Sequence, residues 1–414
     1  MYIILLIGII FIVLNFIVSL KEYIISPERI FLITWGLTSI LYAVSLNRYL
    51  RFNSQYILLI VMGTITFLCG TVLARIFSNK ENNNKKKNSL LLLSIRKYKI
   101  LFYINLIGAI LICLKSIYIV RQASLGNNFL TDLRLATLYL GYGIGILKYF
   151  IPFSFSILFF SIIKFDSLKL IYKKYKIYIF ISGLCAFSNA FFSTGRGFLF
   201  TIIIGIVNCL FFRYYKKNKI KYFNKVLGIS AIVLFVIFIS YGSIMAKGIA
   251  KDSSINEKIV SGIISLIDYT GGNLQSLDYF LSDGYKFHYG RITFRTLYAI
   301  ANIFNNNIEP VNLVQDFPKY ENMNNTYTIY RSYVEDFGII YAILIQFLFG
   351  FIHRFVYERA LNYDDSFIFI NSFLIFALIM QIMQDQYFSL MSFWIQILFY
   401  KFVLFSLKNK KIKK

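Results

Sequence analysis

MYIILLIGIIFIVLNFIVSLKE, residues 1–22, carries no charge until Lys21. As a helix such a run covers about 30 Å, the thickness of a bilayer's hydrocarbon. It has no basic leader before the apolar run, the run is too long for a secretory signal, and no small-residue cleavage site follows. It reads as a first span that is retained.

The rest of the chain repeats the pattern. Of 414 residues, 58% are hydrophobic and only 15% charged, against about 25% charged in soluble domains. The mean hydropathy is +0.64. The expected fold class is therefore all-α, a polytopic integral membrane protein. Eleven spans are placed near 2–20, 30–46, 56–77, 100–120, 145–163, 177–192, 198–212, 226–245, 337–357, 367–383 and 391–407, all in one transmembrane domain. The four cysteines, Cys69, Cys113, Cys185 and Cys209, fall inside apolar runs, and their spacing suits neither zinc nor a disulfide framework.

A net charge of +25 would point to nucleic acid in a soluble protein. Its distribution points to a membrane instead. The connections 78–99 (Lys80, Lys85, Lys86, Lys87, Arg96, Lys97, Lys99), 164–176, 213–225 and the tail 408–414 are strongly basic. Alternating crossings place all four on one side, which the positive-inside rule makes cytoplasmic. The chain is then expected to start outside and end inside.

On the opposite side the connection 246–331, between the eighth and ninth spans, is balanced in charge and too long for a mere connector. In "SINEKIVSGIISLIDY" the residues Ile255, Ile259, Ile263 and Ile267 share a helical face, as do Ile292, Ala299, Ile300 and Ile303 in "GRITFRTLYAIANIF". These amphipathic helices are expected to lie along the outer membrane face. "NIFNNNIEPVNLVQDFPKYENMNNTY" reads as irregular loop.

Phosphate-loop, dinucleotide and zinc-protease motifs are absent. Asp364–Asp365 sits in a short inner loop, and His353 lies in the ninth span near its inner end. The outer cations are more informative, because the positive-inside rule does not account for them. In "FFSTGRGFLF" Arg196 stands between Gly195 and Gly197 at a turn, with Ser193 or Thr194 as N-cap and helix N–H groups aimed outward. A guanidinium at a helix start suits a phosphate; a snorkelling arginine is the alternative. Arg291 and Arg295 are four apart and on a helix would face one diphosphate, or simply solvent. "YTIYRSYVEDFG", 327–338, packs Arg331, Glu335 and Asp336 among tyrosines. Arg331 and Glu335 can pair, leaving Asp336 as a base; His288 is another candidate. Lys115 and Lys148, near outer span ends, either snorkel or add to a cationic pocket. Together these residues outline an outward-facing cationic site.

Over most of its length the chain resembles the Wzy family of O-antigen and capsule repeat-unit polymerases. The likeness is carried by "SPERIFLITWGLTSILYAVSL", "STGRG", "YTGGNLQSLDYFL" and "NTYTIYRSYVEDFGIIYAILIQFLFGF". Of the family's paired arginine-x10-glycine motifs, the chain has one match, Arg134 to Gly145. The resemblance implies an inverting, metal-independent glycosyltransferase without cofactor, in the bacterial cytoplasmic (inner) membrane. It moves a growing glycan from polyprenyl diphosphate to the non-reducing end of another lipid-linked unit. Arg196, Arg331, Arg291 and Arg295 would hold the diphosphate, and Asp336, Glu335 or His288 would serve as base. The implied partners are the lipid-linked donor and acceptor, the bilayer, a chain-length regulator and a flippase, with no nucleic acid. A lipid-linked oligosaccharide flippase or other transporter, or an O-antigen ligase, remains an alternative.

Overall fold

The computed structural model describes residues 2–44, 53–81, 95–126, 128–171, 173–244, 255–305, 311, 326–362 and 364–406. Most of these residues are helical, and no strand occurs among them. The α-helices are α1 (Tyr2–Ser19), α2 (Pro27–Val44), α3 (Ser54–Glu81), α4 (Ile95–Ala123), α5 (Phe129–Tyr139), α6 (Phe150–Ile163), α7 (Phe165–Ile171) and α8 (Tyr175–Phe192). They continue with α9 (Arg196–Lys216), α10 (Phe223–Ile244), α11 (Ile255–Asp283), α12 (Arg295–Phe304), α13 (Tyr330–Phe337), α14 (Ile339–Leu361), α15 (Asp365–Ile379) and α16 (Met391–Phe405).

Nine helical stretches among the described residues are long and apolar enough to cross a membrane, the all-helical pattern of a multi-pass protein. The other two expected spans also fold as helices, α2 and α16. Helix α16 has 15 residues, only about 22 Å of rise. Helix α2 opens on Pro27, Glu28 and Arg29 and draws Glu28 into a buried ion cluster.

Two compact units emerge. Unit 1 comprises 1–84, 263–359 and 374–394; unit 2 comprises 85–262, 360–373 and 395–414.

In unit 1, α3 and α14 cross with almost no side chain between them. A Cβ on Gly70 would fall on the Phe347 carbonyl, and one on Gly350 on the Phe67 carbonyl. Thr66 Oγ1 donates across the crossing to the Ile343 carbonyl, 2.9 Å. Further along α14, Arg354 is 3% exposed and binds Glu22 (2.8 Å), Glu28 (3.1 Å) and Glu358, while Arg75 of α3 also pairs with Glu22. A buried charge is tolerated only when paired in this way. Two non-α-helical stretches meet backbone to backbone: Tyr327 N (3.2 Å) and Thr328 N (3.1 Å) donate to the Met383 carbonyl, and Ile329 N (2.7 Å) to that of Gln381. Inside an apolar assembly, main chain that leaves the helix must find partners of this kind.

In unit 2, α6 is buried from Ile151 to Ile162 and forms the centre. Asn and Ser side chains bind its neighbours to it: Ser154 Oγ donates to Asn105 Oδ1 (2.5 Å), Asn189 Nδ2 to Ser154 Oγ (2.6 Å), and Tyr98 OH pairs with Ser161 (2.7 Å). Such polar contacts join helices where burial in lipid gives little drive. Asp365 is held by Lys164 (2.7 Å) and Lys216, and Asp364 caps its own helix through Ser366 N (2.9 Å), so this acidic pair is engaged within unit 2.

The 246–331 connection is more helical than expected. Its first helix, α11, continues past the predicted segment to Asp283, and its C-terminal half is buried, with Asn273, Leu274, Ser276 and Leu277 each 0% exposed. The Asn-rich stretch lies largely outside the described residues.

Candidate functional site

Unit 1 brings Arg331, Glu335 and His288 together. Thr328 Oγ1 accepts from Tyr330 N (3.3 Å) at the start of α13, and Gly338, with φ +86°, turns the chain into α14. One turn apart on α13, Arg331 Nε lies 3.2 Å from Glu335 Oε2. The other carboxylate oxygen, Oε1, is 3.3 Å from His288 Nε2, and His288 N donates to the Glu335 carbonyl, 2.9 Å. Glu335 thus bridges a guanidinium and an imidazole. The Arg331 guanidinium stacks 3.9 Å from the Tyr327 ring centroid and 5.0 Å from that of Phe280. Its Nη1 is buried and makes no hydrogen bond among the described residues. His288 is more open, with its side chain 36% exposed.

Asp336 points elsewhere, as its place beside Glu335 requires. It is 2% exposed, and its two oxygens accept from Ile292 N (3.3 Å) and Thr293 N (2.6 Å), anchoring the turn ahead of α12. That turn changes the geometry expected of Arg291 and Arg295. Helix α12 begins only at Arg295, so Arg291 precedes it, exposed, with its guanidinium 6.0 Å from the Tyr298 ring. Arg295 Nε donates to the Val311 carbonyl, 2.6 Å. The two arginines are not successive turns of one helix.

Two carboxyls that the sequence did not single out sit nearby in unit 1. Asp278, 3% exposed, accepts from Asn53 N (2.7 Å); burial pushes its carboxyl up to about 6, opposed by that hydrogen bond. Asp385, also 3% exposed, accepts from Tyr333 OH (2.8 Å), Tyr387 N (2.8 Å) and Ser389 N (2.7 Å); burial raises it as well. The Tyr387 hydroxyl in turn meets His353 Nε2 at 2.7 Å, which gives His353 a packing partner within the unit.

Arg196 belongs to unit 2. It opens α9, but the N-cap is Gly195, whose own N–H donates to Ser193 Oγ (3.4 Å) in the turn before the helix. Its guanidinium lies 4.6 Å from the Phe238 ring centroid. Lys115 and Lys148 each lie over a neighbouring ring, Tyr118 at 4.7 Å and Tyr149 at 5.4 Å.

Comparison with known families, characterised proteins and solved structures gives no match. The chemistry must be read from the side chains themselves. A guanidinium with an outstanding donor, held between aromatic rings, suits an anionic group that has lost part of its water. An imidazole whose Nε2 faces a carboxylate is oriented to take a proton at Nδ1, the arrangement used where a hydroxyl must be activated. No group of three metal-ligating side chains occurs among the described residues.

Proposed function

We propose that the chain polymerises lipid-linked oligosaccharide repeat units on the outer face of a bacterial cytoplasmic membrane, for O-antigen or capsule. The observation that carries this reading is the Arg331–Glu335–His288 constellation. Transfer from a polyprenyl diphosphate develops negative charge on the leaving phosphate, and fixed guanidinium groups stabilise it there without metal. Arg331 fills that role, with Arg291 and Arg295 of the same unit as further diphosphate ligands. The acceptor hydroxyl must lose a proton as it attacks the anomeric carbon from the face opposite the leaving group. His288 takes that proton at Nδ1 while Glu335 stabilises the imidazolium. Asp336, with both oxygens engaged by main-chain N–H groups, holds the turn that carries Ile292 and Thr293.

One observation favours a second reading. The Arg354–Glu22–Glu28–Glu358 cluster buries paired charge among the helix ends of unit 1, and buried charges of this kind also occur in transporters. A flippase of the same lipid-linked units is therefore the competing function.

Gel analysis of surface polysaccharide in a deletion strain separates the readings. A single capped repeat unit is expected for a polymerase, no capped unit for a flippase, and unattached long chains for a ligase. On complementation, Arg331→Ala is expected to leave the single-unit band, and His288→Gln to lower polymer about 10²- to 10⁴-fold, the usual contribution of a general base. Wild-type ladders in both strains, with normal protein levels in the membrane, would refute the site.

A further inference from the structure

The segment between α11 and the Ile292 turn reads Gly284–Tyr285–Lys286–Phe287–His288–Tyr289–Gly290, and 284–288 runs without helix. His288 reaches Glu335 from this segment, and the aromatic residues flanking it, Tyr285, Phe287 and Tyr289, follow Phe280 of α11 along the chain. Their rings form a continuous file. Phe280, which carries the Arg331 guanidinium at 5.0 Å, stacks on Tyr285 at 5.3 Å; Tyr285 meets Phe287 at 5.5 Å, and Phe287 meets Tyr289 at 6.1 Å. Exposure climbs along it, from 9% at Phe280 to 49% at Phe287 and 80% at Tyr289. A large exposed ring loses free energy to water unless something covers it, and such rows mark binding surfaces.

We propose that Phe280, Tyr285, Phe287 and Tyr289 form a saccharide-stacking track that leads a glycan to the Arg331–Glu335–His288 site; this rests on the glycosyl-transfer reading above. The faces of these rings are electron-rich, and a pyranose offers one face of polarised C–H bonds to match. The file starts at the cation proposed to hold the diphosphate and ends in the open, the order in which a lipid-linked sugar chain presents its phosphate and its successive residues. The composition argues against hydrocarbon as the occupant. From Ser282 to Tyr289 no aliphatic side chain occurs, and Ser282, Asp283 and Lys286 are exposed between the rings. The lipid-type surface of α1, by contrast, exposes Leu6, Ile9, Ile10 and Val13.

The test uses the full-length chain in detergent and, as probe, the repeat-unit oligosaccharide released by mild acid from its lipid diphosphate. Titration followed by saturation-transfer NMR is expected to show binding to wild type. Affinity should fall roughly two- to tenfold for each of Phe287→Leu and Tyr289→Leu, and be retained in Phe287→Tyr and Tyr289→Phe. No binding to wild type, or unchanged affinity in the double leucine variant, overturns the track. So does a Phe287→Trp indole that is quenched by brominated lipid and insensitive to the oligosaccharide, which would seat the ring in the bilayer. The Arg331→Ala strain separates the two failures. Normal polymer there sinks the glycosyl-transfer reading itself, whereas lost polymer there with wild-type binding and chain length in the leucine variants sinks the track alone.

Discussion

Asp278 is kept in a place where ionisation is costly. It is buried, receives one main-chain N–H, and has no Lys or Arg ion-pair partner among the described residues. Its folded carboxyl titrates at about 6, against about 4 in an unfolded chain, so the folded state binds the extra proton between those values. Stability from this residue is therefore present at low pH and lost as pH rises through 6. Asp278→Asn should raise the melting temperature in detergent at pH 7.5, by up to roughly 3 kcal/mol in stability. The advantage over wild type should shrink below pH 6 and vanish near pH 4. A variant that melts lower than wild type at pH 7.5 would show that the carboxylate is instead stabilised by its surroundings. At this scale the sequence was informative for neighbours and blind to distant partners. The four-residue spacing of Arg331 and Glu335 gave their pairing. It could not show that Glu335 also reaches His288, nor that main-chain donors 43 and 44 residues upstream occupy Asp336.

Elements were legible where periodicity was strong and blurred where backbone geometry intervened. The apolar face of α11 marked a helix but not its burial, because the buried half, beginning near Asn273, carries the polar residues Asn273, Ser276 and Asp278. Helix α12 was expected to begin early enough to include Arg291, yet Tyr289 and Gly290 take left-handed φ values of 51° and 89° and delay it. The crossing of α3 and α14 depends on Gly70 and Gly350, each opposite a backbone carbonyl that has no freedom to move aside. Gly350→Ala should cost about 1–3 kcal/mol by overpacking, measured as a lower melting temperature in detergent. Gly70→Ala should behave alike. The double variant should cost less than the sum, because the first methyl already parts the helices. Unchanged melting in both single variants would mean the helices sit farther apart than described.

For the molecule as a whole, the long uninterrupted apolar runs pointed to helices in a bilayer, because within such a run only a helix satisfies the backbone inside its own segment. Its division into units was not legible. Unit 1 is assembled from three separate stretches of chain, and no change of composition marks 263, 359, 374 or 394. The basic connections set the expected orientation. Reporters fused after Lys414 and within 213–225 should report cytoplasm, whereas one within 121–144 should report the outside. A cytoplasmic signal from 121–144 would reverse the argument that sets the site facing outward.

The pairing of 327–329 with 381–383 has a consequence for how the chain is made. Synthesis delivers Tyr327, Thr328 and Ile329 long before the carbonyls of Gln381 and Met383 that receive their N–H groups. Until the last stretch of unit 1, 374–394, leaves the ribosome, these donors lack their final acceptors. Nearly all of unit 2 precedes that moment, since only 395–414 follows it. A nascent chain arrested at Phe373 would thus carry Arg331 and Glu335 on an unfinished support.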